Sequence, residues 1–126
     1  MRRPVSLLVL LILAAPAVSG CTVLLLGAGA AGGYAVSRDS VVDHLDSSRD
    51  TVYRASLEVA QSMGLVTLES PKQGVIQATI EDANVRITVR QLTTKTVELK
   101  IRARSKLMMP KVEVAQRVYG RIKERL

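Results

Sequence analysis

From residue 47 onward the chain reads in two hydrophobic periods. Val52, Tyr53, Ser56, Leu57, Val59, Ala60 and Met63 fall on one broad helical face, with Arg54, Glu58 and Gln61 opposite. Asp50, Arg54 and Glu58 stand four apart and add charge pairs along the helix. Ser47-x-x-Asp50 fits an N-terminal capping box, and Gly64 is placed to end the helix. After Gly64 the period becomes two. Leu65 to Glu69 predicts a short strand, Pro71 to Gly74 a turn, and Val75 to Glu81 a strand with Ile76, Ala78 and Ile80 on one face. Asp82 to Asn84 predicts the next turn. Val85, Ile87 and Val89 then alternate with Arg86, Thr88 and Arg90. Past Thr93 to Lys95, the series Val97, Leu99, Ile101 and Ala103 alternates with Glu98, Lys100, Arg102 and Arg104.

Strands that alternate this way and are joined by short turns form antiparallel hairpins with one wet face. Pro110 suits the first turn of a closing helix whose stripe is Val112, Ala115, Val118, Tyr119, Ile122 and Leu126. The expected fold is α+β, a two-layer sandwich with both helices on one face of an antiparallel sheet. That sheet has four strands, and five when Val41 to Leu45 is counted; His44 and the aspartates around it weaken that segment.

The N-terminal pattern is different in kind. Arg2-Arg3 precedes an apolar run from Val5 to Ala15, the signature of a signal peptide. Val18-Ser19-Gly20-Cys21 then resembles a lipobox, in which an aliphatic and two small residues lead to a cysteine that is diacylated. The expected organisation is a lipoprotein signal peptide over 1–20, a Gly/Ala-rich tether over 21–38 carrying lipid on Cys21, and a small domain over 39–126. Two or more acyl chains give lasting attachment at about 0.8 kcal/mol per buried methylene. Thr22, where an aspartate would resemble an inner-membrane retention signal, favours the outer membrane facing the periplasm.

The tether contains Gly27-x-Gly29-x-x-Gly32, which read alone is a dinucleotide fingerprint with Asp46 or Asp50 downstream. That fingerprint works only inside a parallel βαβ unit, and the hairpins predicted here leave no parallel crossover. A dinucleotide-binding enzyme is the least favoured reading, and no cofactor is expected. Gly29 and Gly33 also form a small-xxx-small pair suited to membrane association or self-association. As a helix, residues 22 to 36 would reach roughly 22 Å, short of a ~30 Å hydrocarbon core.

Charge sharpens the picture. The 126 residues carry a net +7, and Arg2 and Arg3 leave with the signal peptide. Residues 22–83 hold eight acidic and four basic side chains (−4), whereas 84–126 hold twelve basic and three acidic (+9). Much of the excess projects from the wet side of the last strands: Arg86, Arg90, Lys100, Arg102 and Arg104. These predict a face that attracts phosphate, acidic lipid head groups or an acidic protein, against the alternative of a solubilising surface. Nucleic acid is not expected as a partner: the chain reads as exported, and with neither Trp nor Phe it lacks stacking groups. Asp43, His44 and Asp46 form the one His/carboxylate cluster, read as solvated linker and not as a metal site. No catalytic set emerges. Leu107 to Met109 is read first as a cap on the core and second as an exposed docking patch.

With these residues in view, the chain resembles a family of short bacterial lipoproteins known only as a domain of unknown function. The resemblance spans residues 18–126 and rests on the lipobox, the Gly/Ala spacer, Asp50, Val52, Tyr53 and Ala55 at a helix start, and Thr96 to Arg102 in the last strand. It implies an envelope location and no assigned activity. Where it implies a glycine-containing turn after that strand, this chain has Ala103 to Met109. The expected function is a lipid-anchored, non-catalytic binding or structural module of the envelope. Its partner would be an envelope protein or an anionic component, and the alternative is association through the Gly/Ala segment.

Overall fold

A computed structural model describes residues 34–126. The lipobox residues Val18, Ser19, Gly20 and Cys21, the glycines Gly29 and Gly33, the signal peptide and most of the tether lie outside the described residues.

Eight elements follow one another: β1 (Tyr34–Val36), β2 (Ser40–Leu45), α1 (Arg49–Met63), β3 (Leu65–Ser70), β4 (Val75–Ile80), β5 (Ala83–Gln91), β6 (Val97–Ser105) and α2 (Val112–Glu124). All six strands join one antiparallel sheet in the order β1-β2-β6-β5-β4-β3. The α+β architecture agrees with the alternation, but the sheet is larger than the four or five strands that the sequence predicts. Val41 to Leu45 belongs to an interior strand between β1 and β6, and Tyr34 to Val36 adds a further strand at the edge.

Register explains the core. Val41 pairs with Ile101, Ile101 with Ile87 and Ile87 with Ile76, so one row of branched side chains crosses four strands on the helix side. All four are essentially fully buried and join Val52, Val59 and Ala60 of α1 and Val118 and Ile122 of α2 in one cluster. Of the motif at the start of α1, Val52, Tyr53 and Ala55 are core residues, whereas Asp50 is exposed in the first turn. There its charge complements the helix dipole.

The interior strand β2 carries a buried acid. Asp43 faces the core with 2% of its surface exposed. Its Oδ2 accepts a 2.7 Å hydrogen bond from the Tyr119 hydroxyl and lies 3.6 Å from Lys123 Nζ. A hydroxyl donor and a cation from α2 thus offset the desolvation that a carboxylate suffers on that face. A Tyr119→Phe variant removes one of them. It is expected to lower unfolding free energy by about 1.5–3 kcal/mol, read from urea midpoints at unchanged slope.

The local signals are displaced by a residue or two. The cap of α1 is Ser48, not Ser47, and Ser48 Oγ accepts from Thr51 N at 3.2 Å. The turn after β4 is Glu81-Asp82, both at positive φ (49° and 61°), and Ala83 already pairs with Ile80. This is the two-residue hairpin geometry that matches strand twist. Pro110 precedes α2 and forms an isolated bridge with Arg104, so the helix begins only at Val112.

Candidate anion-binding face

One face of the sheet carries no helix. Because side chains alternate along β5 and β6, Arg86, Arg90, Lys100, Arg102 and Arg104 all project from it, as the sequence predicts. Pairing then sets their neighbours. Arg86 stands opposite Arg102, Asn84 opposite Arg104, Thr88 opposite Lys100 and Arg90 opposite Glu98.

The five cations are not equivalent. Glu98 lies 3.2 Å from Arg90 and 3.6 Å from His44, which projects from β2. Asp39, just before β2, receives a 2.6 Å hydrogen bond from Arg104 Nη2 and lies 3.3 Å from Arg102 Nε. The Arg102 contact is an ion pair without hydrogen-bond alignment, and Arg104 Nε is likewise buried without an acceptor among the described residues. The hydrogen bond from Arg104 holds the Asp39 carboxyl below its ordinary range, helped by the charges of Arg102, Arg104 and Lys100 and opposed by partial burial.

Arg86 and Lys100 remain. Neither forms an ion pair within 4.0 Å among the described residues, although the charge of Lys100 acts on Asp39 from farther away. Arg86 also directly faces Arg102, and like charges in opposed positions destabilise a sheet by roughly 0.2–1 kcal/mol. Two open grooves adjoin along this ridge. One, about 400 Å³, is lined by Arg86, Thr88, Arg90, Lys100 and Arg102 together with Glu98. The other, about 430 Å³, adds Thr67, Gln77, Asn84, Arg104 and Met108. A multivalent or extended anion placed there would meet Arg86 and Lys100 outside any ion pair, with Asn84 and Gln77 as neutral hydrogen-bonding groups.

Other sequence candidates come apart. Asp43 and His44 are successive residues of β2 and so point to opposite faces, while Asp46 lies exposed beyond the strand. The reading of Asp43 as solvated linker is therefore corrected: it is a buried structural acid. Among the described residues no group of three or more His, Cys, Asp or Glu side chains converges. Leu107, Met108 and Met109 do not cap the core but stand exposed after β6. Sequence reasoning missed Asp39 as the counter-charge of Arg104, since the two are 65 positions apart. Glu98 was legible in the alternation, but its role in neutralising Arg90 was not.

Residues 4–105 match the model of a family described as Protein of unknown function (DUF3568). The match takes in all six strands and α1. No curated protein matches the chain.

Proposed function

The chain belongs to that family, and we propose that it is a lipid-anchored, non-catalytic binding module of the bacterial envelope, attached through Cys21 and engaging an anionic partner on its open sheet face. The observation that carries the binding reading is the pair Arg86 and Lys100: two cations outside the ion pairs of the described residues, one of them held against a third cation. A face shaped only for solubility gains nothing from Arg86 opposite Arg102, because alternating signs would keep it equally wet and more stable. The anchoring reading is supported by Val18-Ser19-Gly20-Cys21 after an apolar run.

Combining Arg86→Glu with Lys100→Glu tests the face. In crosslinked native membranes, recovery of the partner is expected to fall roughly tenfold or more, since each surface cation near an anionic target contributes about 1 kcal/mol and reversal adds repulsion. Stability should be unchanged or rise by a few tenths of a kcal/mol, because Arg86→Glu sets a carboxylate opposite Arg102 in place of a like charge. Full recovery in the double variant would refute the cationic face. In the same cells, Cys21→Ala should abolish incorporation of radiolabelled acyl chains; a wild type that takes up no label would refute the anchor.

A further inference from the structure

The loop after β6 is built to hold apolar side chains in water. Met108 N donates to the Ser105 carbonyl at 2.9 Å, Ser105 N to the Met109 carbonyl at 2.8 Å, and Met109 N to Ser105 Oγ at 3.2 Å. Lys111 N then donates to the Ala103 carbonyl at 2.9 Å and pins the returning chain beside β6. Met108 sits at φ 62°, a left-handed conformation that costs free energy for any residue with a Cβ. On this closed turn Leu107, Met108 and Met109 are 83%, 63% and 61% exposed. Three adjacent large apolar side chains displayed on a hydrogen-bonded turn are the pattern of a contact surface, not of scattered surface hydrophobics.

Their surroundings are cationic. Lys106 and Lys111 flank the three, and Met108 lines the same groove as Arg86, Arg102 and Arg104. Leu65 and Leu68, exposed on edge strand β3 and paired with Thr79 and Gln77, add apolar surface on the same sheet face. Of the acidic groups at this end, Glu81 pairs with Arg117 and Asp39 with Arg102 and Arg104, while Asp82 is exposed in its turn and Glu113 in the first turn of α2.

We propose that this end of the open face is a membrane-contact surface. Leu107, Met108 and Met109 enter the boundary between head groups and acyl chains of an anionic bilayer, while Lys106, Lys111 and Arg86 meet lipid phosphates. The proposal rests on the anionic-partner reading above and narrows the partner to a lipid surface. An acidic protein would satisfy the cations but not an exposed apolar tip flanked by two lysines. A bilayer presents negative charge directly above hydrocarbon, the same vertical order as the loop and its flanks.

The test reads the loop itself, so that attachment through the N-terminal segment cannot mimic it. The full chain carrying Cys21→Ala and Leu107→Cys is labelled at position 107 with an environment-sensitive fluorophore. It is then mixed with vesicles of phosphatidylcholine alone, or of phosphatidylcholine and phosphatidylglycerol in equal parts. A blue shift and quenching by spin-labelled acyl chains are expected only with phosphatidylglycerol present. The same label placed by Thr94→Cys, in the turn at the opposite end of β6, should stay in water. Adding Arg86→Glu and Lys100→Glu should abolish the shift at 107. A label at 107 that stays in water while the chain sediments with the vesicles overturns the inference, as does protection of that label by a crosslinked acidic protein and not by lipid. A shift that survives both charge reversals supports the inserting loop and refutes the cationic-face reading instead.

Discussion

Gly64→Ala is expected to destabilise the domain by about 3 kcal/mol or more, a large share of the roughly 5–15 kcal/mol available to a domain. Gly64 is the C-cap of α1, and its φ of −171° is extended backbone that any residue adopts, so the need for glycine is steric. A Cβ there would fall well inside contact distance of the Thr79 carbonyl oxygen. It would also lie 2.9 Å from Ile80 Cγ1 and 3.0 Å from the Thr79 carbonyl carbon. The two Thr79 atoms are backbone of β4, which β3 and β5 hold from both sides. A flexible side chain could swing away, but this carbonyl cannot move without opening the sheet where α1 hands over to β3. Urea unfolding should show a lowered midpoint, and a loss below about 1 kcal/mol would mean that the junction yields more easily than its hydrogen bonding implies.

Ile101→Ala should cost about 3–4 kcal/mol. Ile101 sits on β6 between Val41 and Ile87, fully buried, where the layers of sheet and helices meet. Neighbours held by backbone pairing on both sides cannot collapse into the vacated volume, so the cavity penalty adds to the lost transfer free energy. Leu107→Ala is the matched control. It removes an aliphatic side chain of the same size from an exposed tip and should change stability by less than about 0.5 kcal/mol. Equal losses at the two positions would mean that the loop packs on the domain in solution, which would also remove the apolar surface on which membrane contact depends.

Particular elements show how far the chain was legible as a sequence. β4, β5 and β6 follow from strict alternation, because a one-residue slip would turn every branched side chain to water. The helix α1 follows from its 3.6-residue stripe and a hydroxyl cap, with the capping serine displaced by one. β2 was hard to read because Asp43 interrupts its apolar face, and β1 because three residues next to a Gly/Ala-rich stretch carry no period. β2 pairs because β6 offers it an edge and α2 brings a hydroxyl and a cation to the acid, and β1 pairs in turn on the outer edge of β2. Every described strand pair is antiparallel, as the alternation and short turns predict; Gly27, Gly29 and Gly32 lie outside the described residues.

By itself, then, the sequence determined the α+β class, the inward face of each long strand, and the gathering of five cations on the opposite side. These depend on period and local turn chemistry, which act over a few residues. Only the tertiary structure decided which cations stay outside ion pairs, that Asp43 is buried beside Tyr119, and that Leu107, Met108 and Met109 stand exposed, with Met108 in the same groove as Arg86. Each of these depends on proximity between residues far apart in the chain. Such proximity is set by strand order and register, and no local pattern of side chains encodes it.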